Sequence, residues 1–154
     1  MMKTVILEQG AARAIAFAIL VCATNAALAQ SLGNLKLNES GLAFAEQLIR
    51  EGRVVADNKG AWSTHQPSTE EENRFIRLYG FNEYAKWHLG IDPRFAENTK
   101  QRYKFPYGDF HRVRRSAILA AQNRATQFKY SDIEAAAISL RKMIEAPAAL
   151  DSKR

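Results

Sequence analysis

An all-α domain is the fold class this sequence predicts: a small bundle of about five helices with one long ordered loop. Three observations point there. Apolar residues recur at helical spacing in several separate windows. Two Ser-x-x-Glu segments have the spacing of capping boxes. Glycines and a proline stand where those windows end.

The first helix is predicted from Ser40 to Glu51, with Leu42, Ala45, Leu48 and Ile49 on one face and Gly52 as a left-handed stop. Arg53-Val54-Val55-Ala56 reads as a brief extended stretch, and Asp57-Asn58-Lys59-Gly60 as a turn. A second helix begins at Ser68, which has capping-box spacing to Glu71. Its apolar face is Phe75, Ile76 and Tyr79, and Gly80 ends it. A shorter helix is expected from Asn82 to Leu89, before Gly90. From Ile91 to Gly108 no period is visible, and Pro93, Pro106 and Gly108 mark the long loop. Asp109 is read as the N-cap of a helix from Phe110 to about Gln127. Ser131 and Glu134 open the last helix, which turns Ile133, Ala136, Ala137 and Leu140 inward and stops at Pro147. There is no internal repeat, heptad run or low-complexity tract.

The N-terminus carries a different pattern. Residues 14–23 are an uncharged apolar run, preceded by Lys3 and Arg13 and followed by Ala27-Leu28-Ala29. That order of charge, apolar run and small residues is the pattern of a secretory signal. The run is too short for a membrane span, which needs about 20 apolar residues. The expected organisation is a cleavable signal over 1–29, a polar leader over 30–40, one helical domain over 41–146 and a frayed tail over 147–154. The expected location is periplasmic or secreted, with a cytoplasmic protein as the alternative. Membrane contact is expected only through the N-terminal segment, should it remain attached.

Composition narrows the chemistry. The 154 residues carry 47% hydrophobic and 25% charged side chains, a globular rather than a disordered balance. Net charge is +6, from 22 Lys and Arg against 16 Asp and Glu. Without Lys3, Arg13 and Glu8 the excess is +5. A basic excess of this kind favours anionic partners without selecting one. The single cysteine, Cys22, lies in the export segment, so the remainder has no disulfide, thiolate metal site or thiol nucleophile. His65, His88 and His111 include no i,i+4 pair, and no metal or cofactor is expected.

Two constellations stand out. Lys100, Arg102, Lys104, Arg112 and Arg115 are interleaved with Tyr103, Phe105, Tyr107 and Phe110. Cations and aromatic rings together can grip phosphates and stack on bases, which makes these five cations a candidate anion-binding set. Lys100, Arg102 and Lys104 alternate and would share one side of an extended loop. The second constellation is a candidate buried polar cluster of His88, Asp109, Arg114 and Arg124. On the wheel of the helix after Asp109, Arg114 and Arg124 lie within about 40° of the apolar centre. Arginines so placed must snorkel or meet a carboxylate, with Glu134, Asp132 or Glu83 in reach of Arg124. His88 would act as a base were Asp109 or Asp92 to orient it; a histidine bonded to a backbone carbonyl is the structural alternative.

A family resemblance adds to this reading. Glu51-Gly52-Arg53-Val54-Val55, Trp87-His88-Leu89-Gly90-Ile91-Asp92 and Arg102-Tyr103-Lys104-Phe105-Pro106-Tyr107-Gly108-Asp109-Phe110 are its longest blocks. With Arg115, Ala120-Ala121, Arg124-Ala125 and Asp132-Ile133-Glu134, they resemble a family of small bacterial proteins without an assigned function. The resemblance implies a shared fold and no chemistry.

The sequence contains no serine-hydrolase elbow, phosphate-cradling glycine loop or distinguished carboxylate pair, and no catalytic residue is assigned. The leading expectation is therefore a non-enzymatic, exported helical module that binds a protein partner or an anionic ligand. A nucleic-acid or phosphate binder using residues 100–115 is the first alternative. A small enzyme centred on His88, Asp109 and Arg124 is the second.

Overall fold

The computed structural model describes residues 35–151, with side chains through residue 146. The expected signal over 1–29 and the first part of the leader lie outside the described residues. Five helices are described: α1 (Glu39–Arg50), α2 (Trp62–His65), α3 (Thr69–Lys86), α4 (Arg115–Phe128) and α5 (Ser131–Asp151). Five short strands lie among them: β1 (Lys36–Leu37), β2 (Val54–Val55), β3 (His88–Ile91), β4 (Tyr103–Pro106) and β5 (Val113–Arg114). None of the described helices is long and apolar enough to cross a membrane.

The fold is therefore mixed α/β, which corrects the all-α expectation. One sheet has the order β1-β3-β4, and the other pairs β2 with β5. The first sheet is antiparallel, with Leu37 opposite Gly90 and Gly90 opposite Lys104. The second is a parallel pair, with Val54 opposite Val113 and Val55 opposite Arg114.

Each correction has a local cause. The segment read as a helix up to Leu89 leaves the helix at Trp87, and His88 begins β3. His88, Leu89 and Gly90 are all buried, so β3 shows no inside–outside alternation that would mark it as a strand. The long loop contains β4, whose Tyr103 and Phe105 turn inward while Lys104 and Pro106 are half-exposed. Part of the expected leader, Lys36 and Leu37, forms β1 on the edge of this sheet. The helix expected from Phe110 begins only at Arg115, because Asp109 caps a tight turn. Pro147 does not end the last helix, which continues to Asp151.

The core lies where α1, α4 and α5 meet the three-stranded sheet. Ala45, Leu48, Leu89, Tyr107, Val113, Ile118, Ala125, Ala137 and Leu140 are fully buried there. Burial of this apolar surface is the main favourable contribution to folding. Trp87 anchors the loop that follows β4: a Cβ on Gly108 would come within 2.7 Å of the Trp87 ring and 2.5 Å of the Arg112 carbonyl oxygen. Only glycine permits so close an approach, and it fixes the path of the chain into the turn at Asp109.

Candidate functional site

Two opposed segments frame a cleft of about 560 Å³, a volume within the range of small-molecule sites. One wall is the end of α2, the turn after it and the first half of α3. The other is the 109–111 turn with Arg114.

The first wall follows from local sequence. Ser68 Oγ accepts the Glu71 N–H, and Glu71 Oε2 accepts the Ser68 N–H at 2.7 Å, so the expected capping box is present. The helix it starts presents Phe75, Leu78 and Tyr79 at i, i+3 and i+4, on one face. Gly80, at φ 81° and ψ 171°, breaks the helical path before it resumes toward Lys86. That backbone region is open essentially to glycine alone. Leu78 and Tyr79 are left 63% and 59% exposed.

The second wall is held by hydrogen bonds. Asp109 Oδ1 accepts the N–H groups of His111 (3.1 Å) and Arg112 (2.8 Å). Arg53 Nη2 donates to the His111 carbonyl at 2.6 Å. Between them Phe110 adopts φ 64°, a left-handed conformation that costs a bulky residue about 1–3 kcal/mol. The strain places the Phe110 ring in a stack with Phe75, with centroids 4.3 Å apart and planes 18° from parallel. Its other side meets Trp87 edge-on.

Behind this turn lies an ionic cluster. Arg114 Nε donates to Asp109 Oδ2 at 2.8 Å, and Nη1 to Asp57 Oδ2 at 3.2 Å. Asp57 also accepts the Ser116 N–H and the Ser116 hydroxyl, both at 2.8 Å. Asp57 thus caps the start of α4 from 59 residues away in sequence. The β2–β5 register makes this possible, since it sets Val55 beside Arg114 and leaves Asp57 next to the helix start. Burial tends to raise the carboxyls of Asp57 and Asp109. Hydrogen bonds outweigh it, from Ser116 and Arg114 to Asp57, and from Arg112, Arg114 and His111 to Asp109, and both carboxyls fall below the ordinary value. Arg114 is raised, burial being overcome by the same two carboxylates.

Of the candidate polar cluster, Asp109 and Arg114 meet, and His88 and Arg124 have other partners. His88 is buried, and its Nδ1 lies 2.9 Å from the Tyr84 carbonyl oxygen. A carbonyl only accepts, so Nδ1 carries the proton. Burial pushes His88 down to about 4, against the Tyr84 hydrogen bond and with help from nearby Lys104. Asp92 is occupied by Arg94, through Nε at 2.9 Å and Nη2 at 2.6 Å. Arg124 is exposed and lies over the Phe128 ring at 5.5 Å, rather than against Glu134, Asp132 or Glu83.

The five candidate anion-binding cations are spread over separate partners. Lys100 pairs with Glu72 at 3.0 Å, Arg102 with Glu97 at 3.5 Å, and Arg115 with Glu145 at 2.9 Å. Lys104 sits over the Phe95 ring at 5.6 Å, while Arg112 is exposed. Lys100 and Arg102 belong to a 3₁₀ turn that precedes β4, so the three alternating cations do not form one extended row.

Asp57, Ser116, Arg74 and Leu78 are site residues that sequence reasoning did not single out, and His65 was weighed only as a metal ligand. Asp57 read as part of a turn, and nothing in the chain connects it to position 116. Among the described residues, no group of three or more His, Cys, Asp or Glu is placed to hold a metal ion. No family model, curated protein or solved structure matches the chain.

Proposed function

We propose that this protein is a non-catalytic binding module and that the cleft along α3 holds its ligand. The observation that carries this reading is the Phe75–Phe110 stack. A bulky residue is kept in a left-handed conformation, and its ring extends an apolar wall that Leu78 and Tyr79 leave open to solvent. Strain of this kind persists only where the surroundings hold it, and it collects at ligand sites. His88, Asp109 and Arg124, the groups of the enzymatic alternative, each have a separate partner. The nucleic-acid alternative gains no observation in its favour, because four of its five cations are engaged within the chain.

The test is titration of the full chain with 2-naphthamide, a neutral flat probe, followed by NMR. Saturable shifts confined to Phe75, Leu78, Tyr79 and Phe110, weakened at least fivefold by Tyr79→Ala, are expected. Shifts scattered over the surface, or none, would overturn the reading. Export is part of the same proposal and rests on residues 1–29 of the sequence. It predicts an intact mass beginning at Gln30 in protein from the native cell, and a full-length cytoplasmic product would refute it.

A further inference from the structure

Among the described residues, the charged hydrogen-bonding capacity left over in the cleft is unequal. The charged acceptors are largely spent. Both Asp109 oxygens are bonded, and Glu71 keeps only Oε1 beyond its capping box. The charged donors are not spent. The side chains of Arg74, His65 and His111 line the cleft without a hydrogen bond or an ion pair to any described residue. Arg114 lines it too, with its Nε and Nη1 bonded and Nη2 unused. The unpaired Arg74 guanidinium and one further guanidinium nitrogen therefore face a single free carboxylate oxygen, while the imidazoles of His65 and His111 and the polar groups of Thr64, Gln66 and Tyr79 each both donate and accept.

These donors lie beside the apolar wall of Phe75, Phe110, Leu78 and Tyr79. A ligand that satisfies both halves has a flat apolar body and one anionic head. We infer that the cleft selects small organic anions of this kind, with Arg74 as the principal contact to the head. The inference rests on the binding reading above and names its ligand class. Arg74 is favoured over the histidines because a guanidinium is always charged and can grip a carboxylate through two parallel N–H groups. Arg114 adds a recessed donor already oriented by Asp57 and Asp109, at little further cost in side-chain freedom.

The closing experiment compares 2-naphthoate with 2-naphthamide on the full chain at low ionic strength. The two probes share ring and shape and differ in charge. Naphthoate is expected to bind about tenfold more tightly, since a charge-assisted hydrogen bond is roughly twice as strong as a neutral one. Arg74→Gln should erase that preference and leave naphthamide unchanged, while Arg74→Lys should restore part of it. Arg74 is exposed, so neither variant removes a core contact. Equal affinity for the two probes, with Arg74→Gln affecting neither, would overturn anion selectivity and leave the binding reading standing. Absence of binding by both would overturn the two together. Tighter naphthoate binding that survives Arg74→Gln would reject Arg74 as the principal contact.

Discussion

The two sides of this molecule are finished to different degrees. Where α4 and α5 cover the β1-β3-β4 sheet, side chains such as Ile118, Leu140 and Tyr107 have no solvent exposure, and even a histidine is enclosed. Where α2 and the first half of α3 face the 109–111 turn, Leu78 and Tyr79 stand mostly in water beside the unpaired Arg74. Both sides use aromatic stacking and arginine–carboxylate contacts. They differ in whether the apolar surface is already covered. Covered surface contributes to the stability of the fold, whereas surface left open is available to a ligand.

That contrast breaks first in the closed side. Ile118→Ala should cost about 2–5 kcal/mol, the usual range for emptying a tightly packed aliphatic site. Urea denaturation followed by circular dichroism measures it. A loss below about 1 kcal/mol would mean that α4 is less firmly packed than its burial indicates.

Acid should act next, and through His88. Its folded value of about 4 lies below the ordinary 6.5, so the unfolded chain takes up the proton first. Its contribution is complete above about 6.5 and is lost as pH falls toward 4, to a total of about 3 kcal/mol at 1.36 kcal/mol per unit. In His88→Gln, which can still donate to the Tyr84 carbonyl, the urea midpoint should change much less across that window. Parallel curves for the two proteins would show that the enclosed histidine is not the group that titrates.

The ionic cluster joins the two sides, and its loss should be intermediate. Asp57→Ala removes the cap of α4 and one partner of Arg114, at a cost of about 2 kcal/mol in thermal or urea unfolding. Because Asp57 and Asp109 are both lowered, their contribution is present above the ordinary carboxylate range and disappears as pH falls below about 4. The variant should therefore lose less stability than the parent in that lower window.

The smallest effect on stability is expected on the open side. Leu78→Ser and Tyr79→Ser should each change unfolding free energy by no more than about 0.5 kcal/mol, since neither residue is covered. Both should weaken 2-naphthamide binding severalfold. A large stability loss with unchanged binding would reverse the roles of the two sides.

Much of the helical framework was legible in the chain. The 3.6-residue spacing of Leu42, Ala45, Leu48 and Ile49 found α1, and Ser68 with Glu71 marked the start of α3. Gly80 was rightly read as an interruption, although the helix resumes beyond it. Of the strands only β2 was legible, as the extended stretch around Val54 and Val55. Three of the five, β1, β2 and β5, span only two residues, too few to show a period, and β3 is buried on both faces. Within the candidate site, the sequence groups Arg114 and Asp109 in one polar cluster without pairing them, and Arg124, at a similar wheel angle, is exposed. Wheel angles are measured on an assumed helix, and that helix begins five residues later than expected.

The sequence by itself determined what depends on neighbours within a few positions: helix faces, caps, glycine breaks and the basic excess. Tertiary structure alone decided the β2–β5 pairing, the capping of α4 by Asp57 and the stacking of Phe110 on Phe75. These join residues 35 to 59 positions apart, and each arises when a distant segment supplies a partner that the local chain lacks. Hydrogen bonds and ring contacts act over a few ångströms of space, whereas sequence patterns record only distance along the chain.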